Sequence, residues 1–111
     1  MNYDEFVDVS KRLPRFYSEG ESVVWLSNAL SGEAGEICNE TKKVTRDDGG
    51  YITVDRREKI IEELGDVLWY ATCLAQRIGS SLDEVKEKNM TKLTTRYGLT
   101  EVNRDAVERR P

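Results

Sequence analysis

Five carboxylates pose the chemical question in this sequence. In "LSGEAGEICNETKK" the acids Glu33, Glu36 and Glu40 recur at steps of three and four, and in "EELGDVLWY" Glu63 and Asp66 repeat the step of three. On an α-helix these steps fold onto one face. With Glu33 as origin, Glu36 lies about 60° and Glu40 about 20° away on the same side. The second segment has the same form, with Asp66 about 60° and Tyr70 about 20° from Glu63. Apolar residues begin at the edge of each stripe: Leu26, Leu30, Ile37 and Val44 in the first, Ile60 and Leu74 in the second. The acids therefore border a packing face instead of open water.

If the two faces meet, four or five carboxylates converge. Like charges crowded into a half-dry seam are costly and raise one another's pKa. Near positions on these faces carry no Lys or Arg, so a divalent cation is the simplest neutraliser. An all-oxygen donor set selects a hard ion, Mg²⁺ first and Mn²⁺ as substitute, and this many carboxylates could hold two. The plain alternative is solvated surface acid, which a single E-x-x-E pattern usually is. Two copies on adjoining amphipathic segments weaken that alternative. Gly32, Gly35 and Gly65 lie beside the acids, each costing roughly 1 kcal/mol against alanine inside a helix. Close approach of a backbone or ligand is the compensation expected there.

The elements that must position these acids read as helices. The first long one is predicted over Ser22–Val44, with Ser22 as its cap and Leu26, Leu30, Ala34, Ile37 and Val44 along one side. Asp48-Gly49-Gly50 makes a turn. Tyr51, Ile52 and Val54 fit either a short extended arm or packing onto the bundle. Asp55 with Glu58 resembles a capping pair for a second long helix ending at Ile78, and Gly79 supplies its stop. Ile60, Ile61, Leu64, Val67 and Leu68 open its wide apolar face. Ser81 and Glu84 form a capping box for a third helix, which runs to Tyr97 and ends at Gly98. A further helical segment from Tyr3 to Leu13 is expected to stop at Pro14. The stretch after Gly98 fits a weak helix, an arm or a frayed end. The fold class is all-α, one helical bundle.

Composition narrows the remaining classes. The chain of 111 residues suits one domain over 1–111, with the motif-bearing part about 22–98. So small a chain has little stability to spare, which favours oligomerisation. With 38% hydrophobic residues it can fold, yet no apolar run approaches the roughly 20 residues needed to cross a bilayer. No membrane association is expected. The acidic start "MNYDEF" lacks the charge and apolar run of an export signal, so a cytoplasmic location is expected. A net charge of −4 argues against nucleic acid as a partner. Absence of His removes His-based nucleophile chemistry and most zinc or di-iron chemistry. Cys38 and Cys73 form no CxxC pair and are expected as two buried or half-buried thiols.

The motif pair "GEAGEICNETKK" and "EELGDVLWY" resembles that of the MazG-like all-alpha nucleoside triphosphate pyrophosphohydrolases. Glu33, Glu36, Glu63 and Asp66 match the family's E-x-x-E and E-x-x-D. Within "SLDEVKEKNMTKLTTRYG", Asn89, Lys92, Arg96 and Tyr97 are similar to a further family stretch, so the likeness spans about Trp25 to Gly98. The segment "VTRDDGGYITVD" between the acid motifs departs from the pattern, which leaves the substrate open.

The resemblance implies a helical bundle assembled as a homodimer or homotetramer that needs Mg²⁺. It implies cleavage of a nucleoside triphosphate, a deoxynucleotide or non-standard nucleotide in several members, to monophosphate and pyrophosphate. On this footing Glu33, Glu36, Glu63 and Asp66 are the metal ligands, with Glu40 an extra ligand or general base. Asn89, Lys92 and Arg96 share a helix face suited to the outer phosphates. Trp25, Asn28 and Trp69 are candidates for a base pocket, although core or interface is the commoner place for an indole. Tyr70, nearer the acids, is a candidate substrate or carboxylate contact, and Tyr97 follows Arg96 at the end of its helix. Lys42 and Lys43 suit the negative end of the first long helix. The rival reading is a non-catalytic helical oligomer of the same fold that binds metal or other proteins; retention of all four motif acids favours the enzyme.

Overall fold

A computed structural model describes Asn2, Glu5 and residues 19–98 of the chain. The described residues contain three long helices: α1 (Glu19–Arg46), α2 (Val54–Arg77) and α3 (Leu82–Tyr97). The segments expected before residue 19, from Tyr3 to Leu13, and after Gly98 lie outside the described residues. No helix among those described is long and apolar enough to cross a membrane.

Helix α1 starts ahead of its expected cap. Ser22 lies inside the first turn and is buried, 3% exposed. The other end extends past Val44 to Arg46, where Lys43 and Arg46 suit the negative pole of the helix. The chain then reverses through Gly49 (φ +68°) and Gly50 (φ +85°), a left-handed pair that side chains with a Cβ rarely adopt. The Gly50 N–H donates to the Val44 carbonyl at 2.8 Å and closes the turn. Tyr51, Ile52 and Val54 make neither a strand nor a packed plug; they are exposed.

The cap of α2 is Thr53, whose hydroxyl accepts from the Arg56 N–H at 3.1 Å. Asp55, the expected cap, sits in the first turn, where its charge suits the helix dipole. Gly79 follows the helix at φ +76°. Ser81 caps α3 as expected by accepting from the Glu84 N–H, while the Glu84 carboxylate accepts from the Ser80 hydroxyl at 2.6 Å. Gly98 closes α3 in the left-handed region.

The described residues up to Gly79 and those from Ser80 onward form separate compact units. In the first, α1 and α2 pair as an antiparallel hairpin: Glu40 meets Arg56, Glu33 meets Glu63, and Trp25 meets Tyr70. Among the described residues, its buried ones gather at the end away from the turn, namely Ser22 and Leu26 on α1 and Thr72, Cys73 and Ala75 on α2. Part of the predicted apolar face of α2 stays open, with Ile61, Leu64 and Leu68 each about half exposed, while Ile60 and Val67 are half-buried. The glycines do not mark close packing. A Cβ at Gly32, Gly35 or Gly65 would meet nothing within 4 Å, because all three are exposed on the outside of the hairpin. Helix α3 lies in the second unit and has no buried residue of its own.

Candidate metal centre

The middle of the hairpin brings three of the predicted acids together. Glu33 projects from α1, and Glu63 and Asp66 project from successive turns of α2. One carboxylate oxygen from each lies within 4.8 Å of the others. Oxygens around octahedral Mg²⁺ are about 3.0 Å apart when adjacent and about 4.2 Å when opposite, given bonds near 2.1 Å. The three acids are therefore within a small side-chain adjustment of one shared ion. Glu33 and Glu63 are half-buried while Asp66 is exposed, so the cluster is backed by protein and open on one side.

The charge balance fits a cation as well. Burial, then the neighbouring charges of Glu33 and Asp66, push the Glu63 carboxyl above its ordinary value, and a hydrogen bond with Glu33 adds to the shift. In the metal-free protein the site thus holds a proton more readily than an isolated glutamate would. A divalent ion would offset the crowded charge and satisfy all three oxygens. Oxygen-only ligands restrict the choice to hard ions such as Mg²⁺ or Mn²⁺.

Glu36 and Glu40 stand apart from this trio. Glu36 is exposed beside it, near enough for its charge to raise Glu63 further. Glu40 belongs to a different cluster nearer the turn. Its carboxylate accepts from Arg56 Nη1 at 2.7 Å and pairs with Lys43 Nζ at 3.4 Å. The Arg56 hydrogen bond, foremost, holds its pKa below the usual glutamate range. Arg56 also donates through Nε to Asp48 at 2.8 Å, and its own pKa is raised by the two carboxylates.

Sequence reasoning missed Arg56. Against expectation, the faces are not free of cations: Lys59 lies one turn before Glu63, Lys43 pairs with Glu40, and the helix pairing brings Arg56 to Glu40 as well. The signal was in the spacing: Glu40 follows Glu33 by seven residues, and Arg56 precedes Glu63 by seven. In an antiparallel pair that aligns Glu33 with Glu63, the same register aligns Glu40 with Arg56.

The other predicted residues fall in two groups. Trp25 and Tyr70 meet edge to face, ring centres 6.1 Å apart at 69°. The indole of Trp25 is half-exposed, and Asn28 is exposed one turn further along α1. Trp69 is half-buried. On α3, Asn89, Lys92, Arg96 and Tyr97 are all exposed, the first three at helical steps of three and four. Cys38 is exposed, against expectation, whereas Cys73 is buried and its thiol pushed up to about 11 by desolvation.

Residues 22–98 match the family described as the MazG nucleotide pyrophosphohydrolase domain. Among curated proteins, the chain is 42% identical over 76 residues to the Gene 37 protein of Mycobacterium phage L5, covering 68% of this chain and 67% of that protein. It is 30% identical over 97 residues to the uncharacterized protein YpjD of Bacillus subtilis (strain 168), covering 80% and 79% respectively. The uncharacterized protein YvdC of the same strain is 32% identical over 73 residues, covering 61% and 69%. No solved structure matches the chain.

Proposed function

This chain belongs to the MazG nucleotide pyrophosphohydrolase family, and from that premise we propose that it hydrolyses a nucleoside triphosphate to the monophosphate and pyrophosphate with Mg²⁺. The observation that carries the reading is the carboxylate trio at motif positions, with its oxygens within 4.8 Å of one another. Glu33, Glu63 and Asp66 would hold the ion. When bound, Mg²⁺ offsets the charge of phosphate oxygens and makes a nearby water a stronger acid.

The chain's own residues supply the rest. Exposed Asp66 marks the side from which the phosphates approach, since Glu33 and Glu63 are backed by the hairpin. Glu36, exposed beside the trio, takes the proton of the attacking water. Glu40 is poorly suited to that role because Arg56 and Lys43 stabilise its charged form. The half-exposed indole of Trp25, braced by Tyr70, offers a stacking surface for a base, and Asn28 offers an amide for its edge. On α3, Asn89, Lys92 and Arg96 form a face whose donors and charge suit phosphate oxygens, with Tyr97 at its end. The exposed apolar residues Ile61, Leu64 and Leu68, at helical spacing on α2, support assembly as a homodimer or homotetramer.

The test is to incubate purified protein and Mg²⁺ with standard and modified nucleoside triphosphates, deoxynucleotides included, and to separate the products. Monophosphate and pyrophosphate are expected, with turnover stopped by chelation. Diphosphate with orthophosphate as first products, or no turnover across the panel, would overturn the reading and favour the non-catalytic oligomer.

A further inference from the structure

Arg56 joins three parts of the hairpin. It stands in the first turns of α2, donates from Nη1 to Glu40 on α1, and donates from Nε to Asp48 in the turn. Its Nη2 reaches the second Asp48 oxygen at 3.5 Å. The arrangement is well shielded: the side chains of Arg56, Glu40 and Asp48 are only 11%, 12% and 13% exposed. Most surface ion pairs contribute little because water and side-chain freedom compete with them. A guanidinium fork held by two shielded carboxylates has less of either, and its planar geometry fixes direction as well as distance.

Near the turn, the Gly50 N–H bond to the Val44 carbonyl ties the chain reversal to α1, and the Arg56 clamp ties α2 to both. The buried apolar side chains, Leu26, Cys73 and Ala75, all lie at the opposite end. Apolar contacts also tolerate a slip of one helical turn, about 5.4 Å, because side chains recur on a face at that spacing. A Mg²⁺ site does not: its oxygens must sit near 2.1 Å from one point. Glu40 lies about two turns beyond Glu33, and Arg56 about two turns before Glu63. The Arg56–Glu40 pair and the Glu33–Glu63 pair therefore express one register.

We propose that Arg56 is a positioning residue for the metal centre, bridging Glu40 and Asp48 so that Glu33 stands opposite Glu63 and Asp66. The proposal rests on the metal-site reading above. It assigns to Glu40 a place in this clamp.

The experiment measures Mn²⁺ binding by the full chain, from the loss of the free-ion electron paramagnetic resonance signal, with circular dichroism reporting helix content. Arg56→Ala should weaken Mn²⁺ binding by about tenfold or more, the effect typical of losing a residue that orients ligands. Arg56→Lys keeps the charge but cannot span both carboxylates, and should fall between Arg56→Ala and the unaltered protein. Arg57→Ala is the control, since exposed Arg57 pairs with its exposed neighbour Glu58, and it should bind as the unaltered protein does. Wild-type affinity in folded Arg56→Ala, or in Arg56→Lys if the alanine variant loses its helices, would overturn the proposal while leaving the metal site standing. Absence of Mn²⁺ binding by the unaltered protein would overturn the metal-site reading and the proposal with it.

Discussion

At the end of the α1–α2 hairpin away from the turn, Leu26, Cys73 and Ala75 are buried around Thr72, whose hydroxyl donates to the Leu68 carbonyl at 2.7 Å. At the turn, the shielded groups are charged: Arg56 between Glu40 and Asp48. Burial at the first end favours association but is nearly indifferent to which turn of one helix meets which turn of the other. The ionic end is particular about partners and contributes direction. Between them sits a trio of like charges, where burial first, and then the charges of Glu33 and Asp66, push the Glu63 carboxyl up. The acids thus lie between an apolar end and an ionic end, at a place where a cation could be held.

The largest effects should come from the trio itself. Asp66→Asn and Glu63→Gln keep side-chain size and remove charge. Each should lower kcat by at least about a hundredfold in a steady-state assay, since outer partners of metal sites already cost 10–100-fold. In chelator the same two variants should unfold at equal or higher urea than the unaltered protein, because a repulsion has gone. A loss of metal-free stability would mean that the acids brace the hairpin.

Leu26→Ala attacks the apolar end instead. It should cost roughly 2–5 kcal/mol in urea unfolding, a large share of the stability of so small a core. The folded fraction should retain its Mn²⁺ affinity if register is set at the other end.

Acid should act on the two charged regions with opposite signs. The folded-state pKa of Glu40 is lowered, chiefly by Arg56, so its contribution is present above the ordinary value of 4.5 and is lost as pH falls through the lowered value. That of Glu63 is raised, chiefly by burial, so its contribution is present below 4.5 and is lost as pH rises through the raised value. Urea midpoints of metal-free protein should show both. Glu40→Gln should remove part of the loss on the acid side, and Glu63→Gln part of the loss on the other; a single shared trend would contradict the assignment.

The smallest effect concerns the cysteines. Exposed Cys38 should react with a thiol reagent in the native protein. Cys73, buried with its thiol pushed up to about 11, should react only on unfolding. Equal rates would show that the apolar end opens readily.

Local rules made much of this legible. The acid stripes and the Ser81 cap follow from helical period and side-chain reach, which a single segment carries within itself. Thr53 was eclipsed by Asp55, since both can cap and local chemistry does not choose between them. Arg56 was hidden because its partners depend on how two helices align. The glycines were misread through propensity alone. Gly35 and Gly65 lie about 160° round the helix from Glu33 and Glu63, on the side away from the seam, so the helical wheel already set them outside. The open apolar side of α2 was foreseeable from the width of its stripe, whereas which part of it the hairpin would cover was not.

The most direct test compares two adjacent glutamates on α2. Glu62 is exposed, and Glu63 faces Glu33 and Asp66. Calorimetric titration of Mg²⁺ into Glu62→Gln and Glu63→Gln holds residue type, helix and charge change constant, and alters only the face. Glu62→Gln should bind as the unaltered protein does, and Glu63→Gln should lose measurable binding. Equal affinity in the two variants would mean that this trio is not the metal centre.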